Sequence, residues 1–126
     1  MNFPENLKYT KDHEWVKVEG KIGTIGVTDH AQGELGDVVY IDIADDLSEV
    51  TAGESFGTIE AVKTVADIFA PISGKVTEIN KTLNDNPEKV NNDPYGEGWF
   101  IKVEMSNPSD LDALMDVNAY KALIGE

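Results

Sequence analysis

The stretch from Gly57 to Gly74, GTIEAVKTVADIFAPISG, sets two short runs of β-branched and apolar residues on either side of a lysine. Phe56 through Ala61 reads as a strand, and Ile68-Phe69-Ala70 resumes strand character. Pro71-Ile72-Ser73-Gly74 is a turn, after which Lys75-Val76-Thr77-Glu78-Ile79 alternates again. If the runs flanking the lysine pair as a hairpin, Lys63 stands at or beside its tip. The tip segment, Val62-Lys63-Thr64-Val65, is β-branched and short of turn-forming residues, so this placement comes from the flanking runs alone. An amine projecting from a rigid tip is open to another enzyme, whereas a lysine used internally as a Schiff base sits in a desolvating pocket. On these residues alone, Lys63 is either an ordinary surface lysine or the mounting point of a prosthetic group.

Upstream, the same grammar of short strands and turns continues. Trp15-Val16-Lys17-Val18 alternates between two faces, Glu19-Gly20-Lys21 turns, and Lys21 through Val27 runs back. Thr28 caps a short helix through Ala31 and Gln32 to Leu35, ended by Gly36, and Asp37 through Ile43 returns to strand. Ala44 to Gly53 carries Asp45, Asp46 and Glu49 and reads as a solvated loop. Downstream, Asn84 to Val90 is expected to form one helical turn, and Trp99 through Glu104 a last strand. The period then changes. Asn107 is placed as an N-cap with Pro108 at the first helical position, and Leu111, Leu114 and Met115 share a face. Val117, Tyr120, Leu123 and Ile124 repeat at helical spacing, an apolar stripe expected to pack on the sheets.

At 126 residues and 13.8 kDa the chain fits one domain, burying roughly two-thirds of its extended surface. It has no cysteine, so disulfides, thiolate metal ligands and cysteine nucleophiles are absent. Ten lysines, no arginine and 24 acidic residues give a net charge of −14. Nucleic acid and anionic membranes are therefore poor partners, since both are bound largely through basic side chains. From Ile22 to Val62 there are nine carboxylates and no lysine. That run is either a solubilising face or a field that steers docking to basic surfaces. The opening MNFPENLKYT has neither a signal-peptide pattern nor an arginine-rich leader, and no apolar run is long enough to span a bilayer, so an intracellular protein is expected.

Signatures of catalysis are missing. The glycines of Ile22–Val27 do not make GxGxxG, the acidic loop lacks calcium-loop spacing, and HExxH and GxSxG are absent. His13 and His30 are the only imidazoles, with no metal-ligand pattern. Among 24 carboxylates an acid–base pair is easy to draw, so a drawn pair carries no information.

Four blocks change this balance: YTKDHEWV at 9–16, IGVTDHAQGELG at 25–36, GTIEAVKTVADIFAPISG at 57–74 and NNDPYGEGWFIKV at 91–103. In this order they resemble the glycine cleavage system H proteins, within the lipoyl- and biotinyl-domain class. The resemblance implies a mainly β, hybrid barrel-sandwich fold with a lipoyl-bearing hairpin, short helices and a helical C-terminal tail. It implies a single lipoyl-carrier domain over 1–126, with a lipoyl-type core near 22–104 and a tail near 107–125. Covalent lipoic acid is expected on Lys63. Biotin carriers usually place methionine on both sides of the lysine, and dehydrogenase lipoyl domains commonly show Asp-Lys-Ala; Val62-Lys63-Thr64 matches neither. Thr64 and Val65 are bulkier than the small pair often found after the lysine.

What the resemblance implies for function is a carrier and protein substrate, not an enzyme. Glycine decarboxylase (P protein, with pyridoxal phosphate) would load an aminomethyl group on the arm. The tetrahydrofolate-dependent aminomethyltransferase (T protein) would take the one-carbon unit and release ammonia. Dihydrolipoamide dehydrogenase (L protein, with FAD and NAD) would reoxidise the arm, and a lipoate-attaching enzyme would install it. Glu14, in the HEW block, and Asp67, four residues past Lys63, are candidates to hold the loaded arm's ammonium, and His30 with Ala31-Gln32 is expected near the same cleft. The alternative is a related lipoate-relay protein for another lipoyl-dependent pathway. A bacterial-like cytoplasmic setting follows, or the mitochondrial matrix if a transit peptide has been removed.

Overall fold

A computed structural model describes residues 3–126; Met1 and Asn2, the first two residues of the opening segment read above, lie outside the described residues. Among the described residues nine strands form two antiparallel sheets. Lys8–Tyr9 (β1), Glu14–Glu19 (β2), Ile22–Val27 (β3), Glu49–Val50 (β5), Gly74–Ile79 (β8) and Ile101–Met105 (β9) make one, in the order β1-β2-β3-β9-β8-β5. Val38–Ile43 (β4), Ser55–Ala61 (β6) and Val65–Phe69 (β7) make the other, in the order β4-β6-β7. This is the β-dominated sandwich with short helices expected from the sequence.

Alternation decides which residues meet between the sheets. Ile41, Ile59 and Ala66 are cross-strand neighbours, and the first two are buried. The rows on either side, Tyr40–Glu60–Val65 and Asp42–Thr58–Asp67, turn mostly polar or exposed groups outward. From the larger sheet Val16, Ile25, Val103 and Ile101 meet them, with Phe100, Ile72 and Leu83 closing the core. A second cluster gathers Phe3, Leu7, Tyr9, Trp15, Val117 and Tyr120 at one end. Here the Trp15 indole lies flat over its cross-strand partner Gly26, where an added Cβ would sit 2.6 Å from the ring, and its Nε1 donates to Pro94 O at 3.0 Å. That anchor fixes β2, and with it the direction of Glu14.

The helix Asp29–Leu35 (α1) starts as expected: Thr28 Oγ1 accepts from Ala31 N–H at 3.2 Å, and Gly36 ends it at φ 79°. A cap of this kind is worth about 1 kcal/mol. Elsewhere the structure corrects the sequence reading. The solvated loop at 44–53 contains β5, which pairs with Lys75 and Gly74 and buries Val50; Leu47 and Val50, its only large apolar residues, are three apart and do not show a strand's period of two. The single turn expected at 84–90 is two turns, Thr82–Asp85 (α2) and Lys89–Asn92 (α3), on either side of Pro87. Proline disfavours α conformation in the residue before it, and Asn86 sits at φ −132°, ψ 61°. Pro108–Ala113 is a 3₁₀ segment, and Asn107 makes no side-chain cap. With three residues per turn, Leu111 and Leu114 pack on the main core while Met115 joins the second cluster, so the three do not share one face. In Val117–Ile124 (α4) Asp116 caps the start, Val117 and Tyr120 are buried and Ile124 packs beside them, but Leu123 is exposed and outside the stripe. β1 was not foreseen: two residues are too short to show a period.

Candidate functional site

Lys63 is at the tip of the β6–β7 hairpin. Ala61 N–H donates to Thr64 O at 2.8 Å and closes the turn, and Val62 N–H donates to Asp37 O at 3.0 Å, tying the tip to the strand entering β4. Val62 is 72% exposed and Val65 62%, so β-branched residues stand in solvent on both sides of the amine. The lysine stem does not hang free: a Cβ added at Gly36 would lie 3.5 Å from Lys63 Cε and 3.6 Å from Cδ. Gly36 is therefore the floor under the Lys63 stem, at a positive φ that suits glycine. Asn91 pins that floor from beneath. Its Nδ2 donates to Gly36 O at 2.9 Å and to Gln32 Oε1 at 3.1 Å, while its Oδ1 accepts from Val38 N–H at 2.8 Å.

Beside this root, α1 and β7 enclose a cleft of about 150 Å³. Val27, Ala31, Leu35, Ile59 and Ala66 give it an apolar wall. Asp12, His13, Glu14, Glu34 and Asp67 supply its polar groups. Of the candidates, Glu14 and Asp67 are thus brought together at one cleft. His30 is not in its lining; its ring centroid lies 4.8 Å from that of His13, and its Nε2 lies 3.8 Å from Glu34 Oε1. Gln32 is not in its lining either; its side chain is bonded to Asp29 and Asn91.

Glu14 is 2% exposed. Its Oε1 accepts from the Thr10 hydroxyl at 2.8 Å and its Oε2 from Phe69 N–H at 3.2 Å, which bridges β2 to the end of β7. Burial pushes its carboxyl up to about 7, against the pull of those two donors and with a smaller push from Asp12. His13 moves the other way: burial and the neighbouring His30 hold it below the ordinary histidine value, against Asp12 and Glu34. Tyr120, fully buried on α4, reaches back to this corner, with its hydroxyl 2.8 Å from Thr28 Oγ1 and 2.9 Å from His13 Nδ1. Burial raises its phenol above the ordinary tyrosine value. Sequence reasoning missed His13, Asn91 and Tyr120 as site residues. The first two lie inside quoted blocks, but Tyr120 meets His13 across 107 positions, and no local pattern signals that.

An exposed amine on a clamped stem, next to an acid-rimmed apolar cleft, suits a tethered group whose far end carries positive charge. Among the described residues no group of three or more histidines or carboxylates is placed to hold a metal. The model of the glycine cleavage H-protein family matches residues 7–126. The chain belongs to the glycine cleavage H-protein family. It is similar to the glycine cleavage system H proteins of Bacteroides fragilis and Bacteroides thetaiotaomicron, at 53% identity over 124 residues in each case and 98% of both chains. The crystal structure of a glycine cleavage system H protein from Mycobacterium marinum superposes with a TM-score of 0.89 at 34% identity, covering 98% of this chain and 100% of that one. As an H-protein the chain is a lipoyl carrier of glycine cleavage and not an enzyme, and membership implies a lipoyl-lysine.

Proposed function

We propose that Lys63 carries the lipoyl group in amide linkage and that the neighbouring cleft receives the end of the arm once it is loaded. The observation that carries this is the position of Lys63: exposed at a hairpin tip, with its stem on Gly36, the residue that closes the helix lining the cleft. When bound, the lipoyl group would supply a dithiolane, a disulfide that can be reduced and can hold a one-carbon unit at sulfur. The chain's own residues bind and shield. The wall from Val27 to Ala66 excludes water, and Glu14 and Asp67 offer carboxylates to the terminal ammonium.

In this role the P protein loads the arm with its pyridoxal phosphate, the T protein unloads it to tetrahydrofolate, and the L protein reoxidises it through FAD and NAD. A separate enzyme attaches the lipoate. A single carrier unit is supported by the packing of the C-terminal Val117 and Tyr120 with Phe3, Leu7 and Tyr9. A bacterial-like cytoplasmic setting is supported by the Bacteroides relatives, and no helix among the described residues is long and apolar enough to cross a membrane.

Intact mass after treatment with a lipoate-attaching enzyme tests the site. The parent chain should gain one lipoyl group and K63R none, because a guanidinium does not act as the amide-forming nucleophile; arginine should leave fold and charge nearly unchanged. A K63R chain that still gains the mass would place attachment elsewhere.

A further inference from the structure

The carboxylates and the apolar wall of the cleft are accounted for by a cationic cargo, but His13 is not. Among the described residues it is the only non-glycine residue with positive φ, at 68°. A side chain persists there when its surroundings hold it. Its N–H donates to Thr10 O at 3.1 Å, its carbonyl accepts from Thr28 N–H at 3.0 Å, and its Nδ1 meets the Tyr120 hydroxyl. The unusual backbone thus sets the imidazole between α4 and the cleft.

The direction of these hydrogen bonds follows from the donors available. Thr28 is fully buried, and its hydroxyl oxygen already accepts from Ala31 N–H. Its other partner is the Tyr120 oxygen. Were Thr28 to accept there as well, its own hydrogen would be left without an acceptor in the interior, which buried hydroxyls rarely tolerate. Thr28 therefore donates to Tyr120. Tyr120, also fully buried, then donates to His13 Nδ1. A ring nitrogen that accepts carries no hydrogen, so His13 is neutral with its hydrogen on Nε2.

We propose that the Thr28–Tyr120–His13 relay makes Tyr120 a positioning residue of the cleft, holding His13 as the neutral Nε2–H tautomer and so keeping a second positive charge away from a cationic arm. The inference rests on the reading that the cleft takes the loaded arm. The groups facing His13 set the contest. Asp12 beside it and Glu34 on α1 favour protonation, while His30 on α1 and burial oppose it; Glu14 and Asp67 line the same cleft, and Tyr120 comes from α4. A proton on Nδ1 would reverse both hydroxyls and strand the Thr28 hydrogen, so the relay adds to burial in keeping the ring uncharged.

The test uses the lipoylated full chain. Imidazole nitrogen shifts of the unloaded carrier should show the Nε2–H form of His13 in the parent. Y120F keeps the ring stacked on Tyr9 at 4.8 Å and removes only the hydroxyl. Its His13 midpoint should rise by about half a pH unit or more. In the loaded carrier, Y120F should release its cargo about threefold faster than the parent at pH 6 and at nearly the parent's rate at pH 8, where the ring is neutral in both. Y120F/H13Q, which has no titratable ring at this position, should remove that difference between the two pH values. An Nδ1–H tautomer in the parent needs no variant to overturn the relay. An unchanged His13 titration in Y120F, or an equal loss of lifetime at both pH values, would also overturn it, and these outcomes leave the cleft reading standing. A parent arm that releases its cargo as fast as free aminomethyl-lipoamide would overturn the cleft reading itself, and the inference with it.

Discussion

In the proposed role of Glu14, folding and carrying pull against each other. Its carboxyl titrates near 7 in the fold against 4.5 for the ordinary group, so between those values the folded chain holds a proton that the unfolded chain has released. The sign follows: stability falls as pH rises from about 4.5 towards 7, by at most about 3 kcal/mol. His13 works the other way, since a lowered folded value makes stability fall as pH drops through the ordinary histidine range. The difference between parent and E14Q therefore isolates Glu14. Urea midpoints should show E14Q gaining on the parent from pH 5 to pH 7, and parallel pH profiles would count against the buried-acid account. Loading should reverse the burden, because an ammonium in the cleft draws Glu14 back to its charged form. In E14Q/D67N the arm should still be attached, reduced and reoxidised, but the loaded form should release ammonia and formaldehyde faster in the absence of the T protein. Single-turnover mass spectrometry reads this, and a parent-like lifetime in a folded variant would leave the wall alone to protect the arm. Of this site the sequence shows the acids, since Glu14 and Asp67 fall in or near recognisable blocks. The left-handed turn at His13 is invisible, because it is imposed by Thr10 and Thr28 and not by histidine's own preference.

At the scale of the hairpin, the position of Lys63 is decided by contacts on both sides of a chain reversal that propensity does not encode. Val62, Lys63 and Thr64 are all exposed, so at the tip successive side chains do not alternate between a buried and a solvent face as they do along β6. What separates the positions is the floor. The Lys63 stem runs over Gly36, whereas Val62 is held through its own N–H to Asp37. Moving the amine by one residue in V62K/K63V keeps composition and charge but takes the lysine off Gly36. Lipoate attachment should then fall at least about tenfold in initial rate by intact mass, since displacing a reacting group by an ångström or so costs a step that depends on orientation heavily. Equal rates would mean that the attaching enzyme reads any exposed lysine near the turn. The hairpin itself was legible from its two apolar flanks. Gly36 as the arm's floor was not, because it takes Asn91, 55 residues away, to hold that carbonyl in place.

Over the whole molecule, the acid is distributed so that docking and attachment can be separated. The lysine-free run from Ile22 to Val62 becomes β3, α1, β4, β5 and β6, and its Asp42, Asp45 and Glu49 are exposed. Lys63 is the first cation after that run, and none of the three acids lines the arm's cleft. The −14 net charge and its placement were plain in the sequence; that these three side chains stand clear of the cleft required the sheet order, because β4 and β5 are consecutive in the chain yet lie in different sheets. A field of exposed charges is screened over about 8 Å at physiological ionic strength and acts mainly on encounter, so association of the loaded or unloaded carrier with the P protein should slow as salt rises. D42K/D45K/E49K moves the formal charge to about −8 and should flatten that salt dependence while dissociation changes little. Attachment of lipoate at Lys63 should persist, since the hairpin, Gly36 and Asn91 are untouched. Stopped-flow association at several salt concentrations, with intact mass on the same samples, separates the two effects. A parent whose association rate is flat across salt, and a triple variant that turns over like it, would assign the acidic run to solubility and leave partner choice to the hairpin and the exposed Val62 and Val65 beside the arm.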